Sequence, residues 1–461
     1  NTSDERAPGS VKATPLKQRR RMKILHLSIT DTVWGAARAA VRLHGGLRRL
    51  GHESKMLVLR HYSDDPDVLG MSLRAAGLPS RLRRRLRRGR IRRDWRRYLS
   101  SRPSDMGMFT DDRTEHGDAL ARQLPASDVI TLHLVAGMLD HEGFFSTLPR
   151  LFPGVPLVWR LPEMSPFTGG CHYDGGCGKF TARCGACPQL RSSDPHDLSR
   201  QIWLRKRRSF AHLPAGGMHL VAPSNWIAAQ AKRSSLMGGY PITIIPNGLD
   251  VDDFRPLDRA AVREALQVPP RAKVVLFVSS TLNNRRKGLA VLSEAMRQLA
   301  GDKEGSGLLL LTIGSGQPAF DRRVPCVHLG NVTNDRVMRM AYNAADVLAM
   351  PPSQESFGQT VVESMACGTP VAAFATGGML DTVRPGRTGF LAPPGDAVGL
   401  AEVIGRVIRL SPEAWSAMSA ECRNTAVAEY SFDLQARRYE KLYQGLIAHR
   451  DGGPVAEGSI A

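Results

Sequence analysis

The sequence predicts an α/β protein built from two doubly wound domains that face each other across a cleft. Three observations predict it. At 461 residues the chain is too long for one ordinary core, and usual domain sizes favour two units of about 200 residues each. Short apolar runs alternate with helix-length segments, the pattern of a parallel sheet with crossover helices. That alternation runs through the chain twice, with a join near residues 240–255, and doubly wound sheets place their ligands at the carboxyl ends of their strands.

The elements follow in order. Residues 1–21 are polar and hold no apolar segment of the kind secretion uses, so a disordered tail is expected, with the first strand opening at "MKILHLS". Ile24–Ser28 reads as a strand, Ala36–Leu50 as a helix and Lys55–Leu59 as the next strand, a βαβ unit. "DVITLHL", "PLVWRL", "MHLVAPS" and "PITIIPNGLD" supply further strands, and the Pro-Asn-Gly of the last marks a sharp turn. The second half repeats the scheme with "KVVLFVSS", "GLLLLTIGSG", "CVHLGNV", "ADVLAMPPS" and "TPVAAFA", with helices over Gly288–Leu299 and Arg336–Asn343. The expected division is a first domain over 22–240, a second over 241–430, and a helix over 431–449 that packs back on the first. Residues 450–461 read as a second disordered tail.

Hydrophobic residues at 42 % and charged residues at 23 % are ordinary for a soluble globular protein. No apolar run approaches the roughly 18 residues that a membrane span requires, so a cytoplasmic protein is expected, peripheral to a membrane at most. The net charge of +20 is concentrated. Between Arg81 and Arg102 stand twelve arginines and one acid, Asp94, so this stretch alone supplies +11. Leu82, Leu86, Ile91, Trp95, Tyr98 and Leu99 recur within it at roughly helical spacing, which predicts a basic amphipathic helix. Its partner is a polyanionic surface, nucleic acid or anionic lipid, unless it is simply a solvated face.

Four of the seven cysteines crowd into residues 163–190: Cys171, Cys177, Cys184 and Cys187. Without an export signal disulfides are not the default. The Cys-x2-Cys pair and two thiols upstream could close around a structural zinc ion, and the alternative is reduced or reversibly paired loop cysteines.

Unusual sequences fall after the second-domain strands. "SSTLNNRRKG" delivers Arg285, Arg286 and Lys287 just before a helix start, and "TIGSG" places Gly314 in a glycine turn. In "SQESFGQTVVESMACGTPV" two glutamates, Glu355 and Glu363, stand eight positions apart around a helix that begins near Gly358. The amides of Gly358, Gln359 and Thr360 point out of that helix start, a site for phosphate. Glu363 then lies on the second turn within reach of a ribose, and Glu355 in the loop within reach of a sugar. The competing readings are a proton-sharing carboxylate pair and a capping carboxylate beside an exposed helix glutamate.

Glu355-x7-Glu363 in this setting resembles the signature of glycosyltransferase family 4, retaining enzymes of the GT-B fold with two Rossmann-like domains. The likeness runs from Met22 to about His449: "ITDTVWGAARAA", "VAPSNW", "IIPNGLDVDDFRP", "RRKG" and "GRTGFLAPPGD" occur in the family's order. "WRLPEMSPFTGGCHYDGGC…CGACPQL" is similar to a subgroup of exopolysaccharide and colanic-acid-type assembly. The resemblance implies that Lys287 and Arg286 hold the donor pyrophosphate and that Glu363 binds the nucleotide ribose. It implies that Glu355 contacts the transferred sugar, that His133 contacts it near the reacting carbon, and that Gly35 brings a first-domain loop to the phosphates.

It further implies sugar transfer from a nucleotide diphosphate sugar to a hydroxyl of a saccharide or polyprenyl-linked acceptor, with retention and with no metal or cofactor required. An acceptor at the inner leaflet makes an anionic membrane surface, rather than nucleic acid, the partner of the basic helix. The sequence departs from the family at Thr281, where one pyrophosphate contact is either missing or supplied by Arg285, at Trp34, and at Pro162-Glu163. Other readings stay open: a sugar-nucleotide epimerase of the same fold, a nucleic-acid-binding protein with a basic arm, and a degenerate member, the last raised by Thr281 and Trp34.

Overall fold

The computed structural model describes residues 20–32, 35–72, 77–103, 105–301, 307–317 and 324–452. Expectations for Trp34 and for most of both tails lie outside the described residues. Among these a seven-stranded parallel sheet runs β3-β2-β1-β4-β5-β6-β7. Its strands are β1 (Lys23–Thr30), β2 (Glu53–Arg60), β3 (Val68–Gly70), β4 (Val129–Leu132), β5 (Leu157–Arg160), β6 (His219–Ala222) and β7 (Ile242–Ile244). A six-stranded parallel sheet, β10-β9-β8-β11-β12-β13, holds β8 (Lys273–Thr281), β9 (Leu308–Ser315), β10 (Cys326–His328), β11 (Val347–Met350), β12 (Val371–Phe374) and β13 (Gly389–Ala392). The first sheet reaches past the expected 240/241 boundary, because β7 pairs with β6 from Leu220↔Ile242 onward.

Both sheets are covered on both faces, so their central strands are continuous apolar runs. The two-residue period of a strand sorts them into separate cores. On β1, Leu25, Leu27 and Ile29 face one cluster and Ile24 faces the other. On β8, Val274, Leu276 and Val278 face one side, and Val275 and Phe277 the opposite side.

The chain crosses between domains twice at one place. Leu249 N donates to Tyr430 O at 2.9 Å and Phe432 N to Leu249 O at 2.9 Å. A Cβ at Gly248 would lie 2.5 Å from Phe432 Cα, so only glycine lets the two crossings approach this closely. The helix Phe432–Arg450 then returns to the first domain. Tyr439, Leu442, Tyr443 and Ile447 pack with Met22, Ile24, Leu43 and Leu47. The Tyr443 hydroxyl shares a hydrogen bond with that of Thr131 at 2.7 Å.

The basic segment is a helix over Gly77–Leu99, starting earlier and ending sooner than Arg81–Arg102. Its apolar residues do not share one face, because nine residues from Leu82 to Ile91 are two and a half turns. Ile91, Trp95 and Tyr98 point inward and are half-buried. Trp95 and Tyr98 pack with Cys187, Leu190, Leu198 and Ile202. Arg84 and Arg88 reach Glu115 and Arg87 reaches Asp140 on that side. Leu78, Leu82 and Leu86, four residues apart, form an outer stripe 79 %, 58 % and 54 % exposed beside the exposed Arg81, Arg85 and Arg93. Among the described residues no helix is long and apolar enough to cross a membrane.

Candidate active site

The loop after β11 is built by what it touches. Residues 351–357 run to Gly358, whose φ of +88° starts the helix Gln359–Ala366. The turn Thr376–Gly378 presses on this loop from below: a Cβ at Gly377 (φ +56°) would lie 2.0 Å from Glu355 O, and Gly378 N donates to Glu355 O at 2.9 Å. The second wall is the short turn Arg285–Lys287 after β8, opened by Asn284, whose side chain accepts from Arg286 N. Ser353 N donates to Arg286 O at 2.8 Å and joins the walls.

Glu355 lies between them. Lys287 Nζ donates to its Oε2 at 2.7 Å and Arg286 Nη1 to the same oxygen at 3.1 Å. Burial alone would raise the Glu355 carboxyl, but the two cations hold it down at about 2. Burial also lowers the Lys287 ammonium, with Glu355 opposing. The cluster is an ionised carboxylate with two cations, and any group that replaced Glu355 there would have to be an anion. The third cation stands apart from this cluster. Arg285 is exposed and pairs with Asp105 of the first domain, because the short turn aims it away from Glu355.

Glu363 sits one helical turn deeper and is buried. Its Oε1 accepts from Arg42 Nη1 at 2.9 Å and its Oε2 from the Tyr342 hydroxyl at 2.9 Å. Arg42 comes from the first-domain helix Gly35–Arg49, whose Arg38 also donates to Asp335 Oδ1 and Thr333 O. The carboxylate assigned to ribose is thus held by an arginine from across the cleft. Beside it, both polar side-chain atoms of Gln359 are buried without a partner. Thr360 Oγ1 donates to Met350 Sδ at 3.5 Å.

His133 follows β4 and is buried. Its Nε2 shares a hydrogen bond with His26 Nδ1 at 2.9 Å, while its Nδ1 has no partner. Burial pushes both imidazoles well below the ordinary histidine value, so both are neutral at pH 7. Gly35 has open space around its Cα. Gly314 needs no ligand to explain it: with φ +149°, a Cβ would lie 2.3 Å from Ser279 O, where β8 and β9 shift register.

The cysteine loop brings its four thiols together. Cys171, Cys177, Cys184 and Cys187 line one small cavity with Phe109 and Ser199. All are free thiols, and among the described residues no group of three or more His, Cys, Asp or Glu stands ready to hold a metal ion. Gly169 N donates to Cys184 Sγ at 3.1 Å, and burial pushes that thiol up to about 12. The same loop sends Tyr173 across the cleft to Arg286, at 3.9 Å from guanidinium carbon to ring centre. Tyr173, Gln354, Tyr342 and Arg42 were not legible as site residues, since each acts on a partner far away in sequence.

With this geometry in view, residues 272–409 match the family described as Glycosyl transferases group 1. That match lies within the second domain and spans both the Arg285–Lys287 turn and the helix Gln359–Ala366. The chain is 35 % identical over 179 residues to a D-inositol 3-phosphate glycosyltransferase of Mycolicibacterium gilvum, covering 37 % of this chain and 40 % of the relative. It is 31 % identical over 258 residues to D-inositol 3-phosphate glycosyltransferase 2 of Catenulispora acidiphila, covering 49 % and 59 %. The matches therefore span about half the length of these relatives. Among solved structures, Anabaena HepE in complex with UDP and glucose aligns with a TM-score of 0.59 at 16 % identity, over 92 % of this chain and 100 % of that one. Sucrose-phosphate synthase from Thermosynechococcus elongatus aligns at 0.62 and 21 %, over 93 % and 100 %. These likenesses concern the fold, which is GT-B: two Rossmann-like domains enclose the cleft that holds Glu355.

Proposed function

We propose that the protein is a retaining glycosyltransferase that moves a sugar from a nucleoside diphosphate sugar to an acceptor hydroxyl. The observation that carries this reading is the buried Glu355 held ionised by Lys287 and Arg286 at a helix start, within the matched glycosyltransferase domain. Two cations and the amides of Gly358, Gln359 and Thr360 suit a diphosphate, whose charge grows as the sugar leaves. The acceptor oxygen bonds to the anomeric carbon on the face from which the diphosphate oxygen departs. The hydroxyl proton passes to that departing oxygen, and the products are glycosylated acceptor and nucleoside diphosphate. Glu355 then orients sugar hydroxyls, His133 closes the first-domain side as a neutral donor or acceptor, and Glu363 exchanges Arg42 for ribose hydroxyls. The cations Lys287 and Arg286 give the leaving diphosphate its counter-charge without a metal ion.

The HepE neighbour, in complex with UDP and glucose, supports a uridine diphosphate sugar as the first donor to test. The relatives' names support a phosphorylated polyol acceptor. A lipid-linked saccharide of cell-surface polysaccharide synthesis is the second acceptor reading, favoured by the outer stripe of Leu78, Leu82 and Leu86 among arginines. That face suits an anionic membrane surface, where leucines insert and arginines meet headgroups. The experiment is a thermal-shift screen of UDP-, GDP-, ADP- and dTDP-sugars, followed by product analysis with each acceptor class. Stabilisation by one donor and an acceptor-dependent product retaining the anomeric configuration is expected. Absence of stabilisation by every donor would overturn the reading, and interconversion of the sugar nucleotide without acceptor would replace it with an epimerase.

A further inference from the structure

The glycine- and cysteine-rich loop is built as a strap. Its base is fixed in the first domain, where Cys187 N donates to Asp197 Oδ2 at 2.7 Å and the four thiols line the cavity beneath. Its tip is a self-closed turn: Asp174 accepts from Gly176 N at 3.2 Å and Gly178 N at 2.9 Å, with Gly175, Gly176 and Gly178 all at positive φ. From this tip three hydrogen bonds cross the cleft to the donor loop. Gln354 Nε2 donates to Asp174 Oδ1 at 2.7 Å while Gly175 N donates to Gln354 Oε1 at 2.9 Å. Ser356 N donates to the Tyr173 hydroxyl at 3.3 Å.

Between these bonds lies the Tyr173 ring. It stacks at 18° on Trp226, with centroids 6.3 Å apart. Gln189 Nε2 donates to its carbonyl at 2.5 Å. The Arg286 guanidinium rests over the ring at 3.9 Å. Arg286 has two further partners, Gln354 O at 2.5 Å and Glu355 Oε2 at 3.1 Å, and those lie along one nitrogen. The ring adds a third contact to the guanidinium, made through its carbon rather than through a nitrogen, and a planar fork must be held in plane to present two donors to an oxyanion.

We propose that the cysteine loop is a strap across the cleft whose Tyr173 ring seats Arg286, making Tyr173 a positioning residue of the donor site. The inference rests on the reading of Arg286 and Lys287 as the diphosphate clamp. It gives the loop a task that requires no metal: the buried thiols pack the base, and the aromatic tip sets the geometry of a cation in the other domain. Donor binding then depends on a first-domain residue even if the donor touches only the second.

The test uses the full chain and inorganic pyrophosphate as probe, by titration calorimetry. Tyr173→Leu should weaken pyrophosphate binding about tenfold, the order expected of a desolvated cation–π seat. Tyr173→Phe and Tyr173→Trp should stay within about threefold of the parent, since the ring and not the hydroxyl is the seat. In an Arg286→Ala background Tyr173→Leu should have no further effect, because the two act as one unit. A merely structural role would weaken binding in both backgrounds and would not be rescued by Phe or Trp, and either result overturns the proposal. If the parent protein binds no pyrophosphate, the clamp reading itself falls and the strap's role at it falls too. Parent binding with an unaffected Tyr173→Leu removes the inference alone.

Discussion

Replacing Glu355 by glutamine removes one charge from a site that depends on three. In the fold the carboxyl is held at about 2, against about 4.3 in an unfolded chain. That gap corresponds to about 3 kcal/mol at neutral pH. Because the folded value lies below the unfolded one, the contribution is complete above about pH 4.3 and is lost as pH falls through about 2. Glutamine fills the same volume but leaves the half-buried Lys287 and Arg286 facing each other without a counter-ion, and removing one partner of a shielded ion pair is costly. A two-domain chain does not melt as one unit, so the local stability is best read by native-state hydrogen exchange in the helix Gln359–Ala366. Exchange there should quicken about 100-fold at pH 7, matching the 3 kcal/mol. Pyrophosphate should bind more tightly to Glu355→Gln, since the competing anion is gone, while sugar transfer is lost. Unchanged or slower exchange would refute the claim that this cluster is net favourable.

Three further outcomes are expected. Burial holds His44, His172 and His219 at about 4, 3 and 4, below the unfolded value of about 6.5. Their contribution is therefore full above pH 6.5 and is lost as pH falls toward 4, up to about 2 kcal/mol each at pH 5. Melting temperature should drop from pH 7 to pH 5, and a flat profile would contradict the burial argument. Gly377→Ala puts a Cβ on Glu355 O at positive φ and should cost at least about 1–3 kcal/mol together with donor binding. A variant that binds donor normally would show that the loop can shift freely. Leu82→Asp with Leu86→Asp should abolish co-sedimentation with phosphatidylglycerol vesicles at unchanged melting temperature. Retained binding would assign the contact elsewhere.

The strands were legible because a parallel sheet buried on both faces writes itself as apolar runs. Three-residue β3 carries too little pattern to read, and β13 hides behind glycine and proline turns. The donor loops were legible for a local reason: cations, glycines and carboxylates that work together stand close in sequence around strand ends. Tyr173 and Arg42 work on residues more than a hundred positions away, and no local spacing announces that. The basic helix shows the opposite error. Leu82 and Tyr98 both read as apolar positions of one helix, and their phase along it sends one outward and one inward.

The return of Phe432–Arg450 to the first sheet has a consequence for how the molecule is made. The hydrophobic face formed by Met22, Ile24, Leu43 and Leu47 is completed by Tyr439, Tyr443 and Ile447, which follow the whole second domain in the sequence. On the ribosome the first domain must wait, with that face uncovered, until the whole second domain has emerged. A chaperone that holds the nascent chain, or aggregation through the open face when synthesis stalls near residue 430, are the expected companions of such an arrangement.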